Sequence, residues 1–136
     1  MTELIVRAFG RPAPQGSKNG SGREASIYLP AWRAEVKRAA LQAMLDAGRP
    51  PLPLFPAGVP VTIERCAFFV PWDPVGTPDI DKLLRSTLDA LGGSRAAGAR
   101  VFADDSQVVS IDGLSKVNCS AAGQPPGAWI LIKGDV

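Results

Sequence analysis

The chain has 136 residues, which fits one domain spanning 1–136, and its 46% hydrophobic content suffices for a packed core and excludes wholesale disorder. It has no histidine, which removes Ser-His-Asp triads, imidazole acid–base steps and HExxH zinc sites together. The net charge of +2 is small but unevenly spread. Seven acids (Asp73, Asp79, Asp81, Asp89, Asp104, Asp105, Asp112) and four bases (Lys82, Arg85, Arg95, Arg100) fall between 73 and 112, while the remainder holds 11 Lys or Arg against 6 Asp or Glu.

An acidic patch in a basic surround suits an enzyme that attracts phosphates and binds a cation among carboxylates. Clustered surface charge explains the same asymmetry without any site. Asp and Glu suit hard cations such as Mg2+ and Mn2+. Two cysteines, Cys66 and Cys119, are too few for a disulfide framework or a cysteine-only zinc site. The opening Met1-Thr2-Glu3-Leu4-Ile5-Val6 lacks the basic start and long apolar stretch of a signal peptide. No apolar run approaches the roughly 18 residues that span a bilayer. A soluble cytoplasmic protein is expected.

In chain order, residues 3–8 predict a first strand rich in branched side chains. A Gly- and Pro-punctuated loop over 10–23 follows, and Ile27-Tyr28-Leu29 predicts a short returning strand. From Pro30, Trp32, Val36, Ala39, Ala40, Ala43 and Met44 recur at helical spacing until Gly48. Five prolines between 50 and 60 make a stiff connector. Val61 to Val70 predicts a second strand whose apolar end, from Cys66, is buried on both faces, with Cys66 read as a core residue.

The next helix carries the clearest pattern. Ile80, Leu83, Leu84, Thr87, Leu88 and Leu91 form one apolar stripe, ended by Gly92-Gly93. After a Gly/Ala/Arg loop and Asp104-Asp105-Ser106, residues 107–117 and 128–133 predict two closing strands. The sum is an α/β (mixed α+β) domain, a mixed sheet of about four strands with two main helices. Trp32 and Trp129 sit at core-patterned positions, whereas the pattern does not place Trp72.

Chemistry concentrates at Thr77-Pro78-Asp79-Ile80-Asp81. Two carboxylates two residues apart on a helix point nearly opposite ways. They converge only if Asp79 occupies the extended cap while Asp81 begins the helix. A plainer reading is a capped helix with Asp81–Arg85 and Arg85–Asp89 surface pairs. Asp104-Asp105 can likewise form a simple turn. A strand before one acidic turn and a strand after the other could bring both to one sheet edge. Spacing around Gly16-Ser17-Lys18 fails the phosphate-binding P-loop pattern, so an ATPase is excluded. Arg11, Lys18 and Arg23 in that loop are instead candidates for gripping DNA phosphates.

Asp79-x-Asp81-x-x-x-Arg85, then Leu88-Asp89-Ala90-Leu91, then Phe102-x-Asp104-Asp105-x-Gln107-Val108-Val109 resembles the RusA family of Holliday-junction resolvases. The loop Ala13-Pro14-Gln15-Gly16-Ser17-Lys18 is similar to that of its phage and prophage members. The resemblance implies a homodimeric nuclease of DNA recombination, repair or phage DNA processing. Such an enzyme binds four-way junctions and makes paired symmetric nicks with Mg2+ or Mn2+. It also implies that Asp79, Asp81 and Asp105 are essential metal-holding residues, with Asp104 a weaker candidate. Arg85 stands where the family commonly has Lys, and Lys82 stands where it often has Asn and is a candidate catalytic residue, a movable cation that stabilises charge developing on the phosphate. Because Arg stays protonated, Arg85 can bind phosphate or stabilise charge but cannot act as a base. The stretch 92–100 looks longer than in compact members. Two other readings fit the same residues: a flap- or fork-cleaving nuclease, and a non-catalytic protein that binds branched DNA.

Overall fold

Alternating burial along Thr2–Phe9 makes β1, which turns Leu4, Val6 and Ala8 into the core and leaves Ile5 and Phe9 exposed. The computed structural model describes residues 1–15, 27–49, 53–76, 78–92 and 98–136. Its further elements are α1 (Leu29–Asp46), β2 (Val61–Val70), α2 (Ile80–Leu91), a 3-10 turn (Asp105–Gln107), β3 (Val108–Asn118), α3 (Cys119–Ala122) and β4 (Gly127–Gly134). The fold is mixed α+β, one four-stranded sheet in the order β1-β4-β2-β3. β4 pairs antiparallel with both β1 and β2, while β2 and β3 run parallel. That parallel pair requires a crossover, and α2 supplies it.

One face of the sheet carries the core. Val6, Ile63, Phe68, Ile130 and Ile132 meet Trp32, Val36 and Met44 of α1 and Leu83 and Leu91 of α2, all fully or almost fully buried. The indole N–H of Trp32 donates to Thr87 Oγ1 at 3.2 Å and ties the two helices together. Gly127 begins β4 with φ +150, and a Cβ there would lie 2.0 Å from the Ala8 carbonyl oxygen. Only glycine lets β4 approach β1 so closely.

Several expectations change. No strand forms at 27–29: Ile27 and Tyr28 turn, and Leu29 already opens α1, with Pro30 inside the first turn where its fixed φ suits a helix. The buried face of α2 is Leu83, Ser86, Thr87, Ala90 and Leu91, with Ile80, Leu84 and Leu88 only half-buried. Ser86 and Ala90 belong to it because small side chains let neighbouring backbone approach. Trp129 is not a core residue. It sits beside Arg7 of β1 and Ala67 of β2 on the face without helices, under the Arg65 guanidinium at 5.6 Å. Cys66 is buried as expected, and burial pushes its thiol up to about 12, so it is inert. Among the described residues no helix is long and apolar enough to cross a membrane.

Candidate functional site

Two ends of α2 carry the acidic residues, and the chain builds each differently. At the N-terminal end Asp79 is the cap residue in an extended conformation (φ −66, ψ 146), and Asp81 lies in the first helical turn. A carboxylate there faces the positive end of the helix dipole. Asp79 makes no side-chain capping bond. Its Oδ2 lies 3.9 Å from Lys82 Nζ, and both carboxylates face solvent. The approach to this end is held from β3. Lys116 Nζ donates to the Gly76 and Pro78 carbonyl oxygens, each at 2.9 Å.

At the C-terminal end, the returning chain binds the last carbonyls of the helix. Ala99 N donates to Ala90 O, Val101 N to Leu91 O and Arg100 N to Gly92 O, at 2.8, 2.8 and 2.9 Å. These are acceptors that a helix end leaves without internal partners. Phe102 then packs on Gly92 so closely that a Cβ on that glycine would lie 2.7 Å from the ring. Asp104 caps the following 3-10 turn: its carboxylate accepts from Ser106 N at 2.8 Å, and Gln107 Oε1 accepts from Asp104 N at 2.9 Å. The Ser106 hydrogen bonds hold the Asp104 carboxyl below the usual range. The buried Gln107 amide also donates to the Phe55, Pro56 and Val59 carbonyls, which fixes the turn to the Pro-rich connector.

This turn presents Asp105 to Asp89. The Asp105 carboxyl is pushed up to about 6, first by desolvation, then by the Asp89 charge and a hydrogen bond with Asp89, then by Asp104. Asp89 is in turn gripped from the N-terminal loop and from α1. The Gln15 amide donates to Asp89 Oδ2, Arg33 Nη2 lies 3.7 Å from that oxygen, and Arg33 also donates to Gln15 Oε1. The loop reaches this place because Gln15 N donates to Lys82 O at 3.1 Å and Ser86 Oγ donates to Ala13 O at 2.6 Å.

The structure therefore brings Asp105 to Asp89 and does not bring Asp79 and Asp81 to Asp105. The reason is topological. Asp79 follows the C-terminal end of β2, Asp105 precedes the N-terminal end of β3, and the two strands are parallel, so the acidic turns lie at opposite ends of this strand pair. Along α2, Asp79 and Asp89 are roughly 15 Å apart at 1.5 Å per residue. Among the described residues no group of three or more Asp, Glu or Cys side chains is placed to hold a metal ion.

The ion pair of Asp89 is with Arg33 rather than Arg85, and the exposed Arg85 pairs with neither Asp81 nor Asp89. Arg11 stacks over the Tyr28 ring at 4.1 Å and the Trp72 ring at 4.9 Å, which gives Trp72 its place. Lys18 and Arg23 lie outside the described residues, as does most of the long 92–100 loop.

Asp89, Gln15, Arg33, Gln107 and Lys116 are the residues that sequence reasoning missed as parts of the site. Asp89 and Gln107 stood inside quoted motifs, so their signal was present. Arg33 and Lys116 carried none. No family model and no curated protein matches the chain.

Proposed function

We propose that this protein is a divalent-metal-dependent endodeoxyribonuclease, with the cation held at the C-terminal end of α2 by Asp89 and Asp105. One observation carries the reading. Three segments far apart in sequence, the Ala13–Gln15 loop, Asp89 of α2 and Asp104-Asp105, meet around one pair of touching carboxyls. Two adjacent carboxylates repel unless a proton or a cation lies between them. The donor set suits Mg2+ or Mn2+, since Mg2+ is commonly held by one or two carboxylates and completed by water and substrate phosphate.

When bound, such an ion supplies Lewis acidity at a phosphate and a water acidic enough to serve as nucleophile. The residues of the chain do the rest. Arg33 and Gln15 orient Asp89, and the Asp104 cap with the Gln107 anchor orients Asp105. Exposed Arg85, between the two acidic ends of the helix, is available to a phosphate oxygen and stabilises charge developing there. Asp79 and Asp81 form a second acidic end near Lys82, about 15 Å away.

Within this class, the substrate we favour is the four-way DNA junction, cut by a RusA-like homodimer with paired nicks. The motif series and the basic charge outside the acidic region support it. The test is strand-specific mapping of products from a mobile four-way junction, with flap and fork substrates alongside, with and without Mg2+. Symmetric Mg2+-dependent nicks, lost in Asp105→Asn and Asp89→Asn while junction binding persists, are expected. Near-wild-type nicking by Asp105→Asn overturns the reading.

The distance of Asp79 and Asp81 from Asp105 favours a second reading, a branched-DNA-binding protein without cleavage. Junction binding with no nicking in either Mg2+ or Mn2+ selects that one.

A further inference from the structure

The face of the sheet without helices holds a cluster that the carboxyl site leaves unused. Two rows of paired residues cross β1, β4 and β2 there: Phe9, Gly127 and Phe69, then Arg7, Trp129 and Ala67. A sheet face open to water is ordinarily polar. One end of this face conforms, since Lys133 takes up both Glu3 and Glu64, at 3.2 and 2.5 Å. The other end does not. Phe9 is 50% exposed and Phe69 and Trp129 are half-buried. Arg7 lies over the Phe9 and Phe69 rings at 4.3 and 5.0 Å, and Arg65 over Trp129 at 5.6 Å.

Small residues open this surface. Gly127 leaves the space between the two phenylalanines to the Arg7 guanidinium, which a Cβ there would meet at 2.5 Å. Arg7 Nη1 donates to the Ala8 and Ala128 carbonyl oxygens, and Nη2 donates to Pro125 O at 3.1 Å. Those bonds fix the group without neutralising it. Beside it, the small side chain of Ala67 leaves a slot of about 200 Å³ next to Phe69 and Trp129, with Arg65 and Gln124 completing the lining. Neither Arg7 nor Arg65 has a carboxylate partner among the described residues.

We propose that this face binds an unpaired stretch of single-stranded DNA, with one base seated in the slot against Trp129 and Phe69 and the flanking phosphates on Arg65 and Arg7. The slot is smaller than the roughly 300 Å³ at which drug-sized sites begin, and it suits one flat ring system. Two guanidiniums repel a cationic ligand. A proline-rich peptide would pack on the rings but brings no anion for either arginine. A nucleic-acid strand offers a π-face and a phosphate with every nucleotide, and aromatic side chains on an open sheet can stack two or three bases. A duplex keeps its bases stacked on one another and cannot enter. The choice of DNA over RNA rests on the nuclease reading above. α1 and α2 pack on the opposite face, so a strand held here is separate from the phosphate met by Asp89 and Asp105.

The test is fluorescence anisotropy of the full chain with a labelled oligo-dT of about 12 nucleotides, in EDTA, with far-UV circular dichroism to confirm that each variant folds. Wild type is expected to bind it, and to bind an abasic strand of the same length roughly tenfold more weakly. Trp129→Leu and Phe69→Leu keep apolar bulk but remove a ring, and each should weaken oligo-dT binding roughly tenfold, whereas Trp129→Phe should stay within about threefold. Arg65 is exposed, so Arg65→Gln tests the proposal even where a ring variant does not fold. It should lower the slope of log affinity against log salt by about 0.7. A wild type that binds no oligo-dT overturns the proposal and leaves the face to a protein partner or to none. Equal affinity for the abasic strand, folded ring variants that bind like wild type, or an unchanged salt slope in Arg65→Gln overturns it as well. Tighter binding of oligo-U than of oligo-dT overturns the assignment to DNA and gives the face to RNA. Because no cleavage is read, the nicking assay can fail while this binding stands, and the reverse.

Discussion

Replacing Asp105 with Asn removes a charge and keeps the shape, and its effect follows from the contact with Asp89. Partial burial, the Asp89 charge and the hydrogen bond with Asp89 move the Asp105 carboxyl from 3.8 to about 6. The folded state thus holds the proton more tightly than the unfolded chain. Its contribution to stability is fully present below the unfolded value of 3.8 and is lost as pH rises through about 6. A carboxyl shifted that far corresponds to roughly 3 kcal/mol if fully shielded, and solvent around this exposed side chain reduces it to about 1 kcal/mol. Asp105→Asn should therefore be more stable than wild type above pH 6 by about 1 kcal/mol, roughly 3 °C in Tm for a chain of this size. At about pH 4 and below, where Asp105 is protonated, the two should coincide. Added Mg2+ should raise the Tm of wild type above pH 6 and leave that of the variant unchanged, because the ion binds where two carboxylates meet. Thermal melts from about pH 4 to 8, with and without Mg2+, read both effects. A variant no more stable than wild type above pH 6, or an equal Mg2+ response in both proteins, would refute the carboxyl-pair argument.

Gln107→Ala leaves the buried Phe55 carbonyl and the part-buried Pro56 and Val59 carbonyls without their shared donor. It should cost about 2–3 kcal/mol in urea unfolding and reduce nicking by loosening the turn that carries Asp105. Lys116→Met removes the two bonds to the Gly76 and Pro78 carbonyls at the surface end of the sheet. Its stability change should stay near 1 kcal/mol, while nicking falls if the Asp79 end contributes to catalysis. Unchanged nicking by Lys116→Met would assign that end to structure alone.

Local pattern made much of the molecule legible. Branched side chains marked β1, the apolar run marked the central β2, the runs 107–117 and 128–133 marked the two closing strands, and glycine and proline punctuation marked where α1 and α2 end. These features depend on neighbours within a turn or two, and such neighbours are written in order along the chain. The extended conformation of Asp79 just before α2 was left open by the sequence as one condition among the possible readings, and the structure has it. The sequence also left open which side of the sheet a residue faces and which segments meet. Trp129 shares its apolar character with Ile130 and Ile132, and only the register against β1 and β2 decided that it lies on the uncovered face. The acidic turns gave the same lesson at larger scale. An antiparallel β2–β3 pair would have joined Asp79 and Asp105 at one end of the strands. The observed parallel pair separates them and hands Asp105 to Asp89 instead, a choice made by long-range strand pairing that no local run of residues encodes.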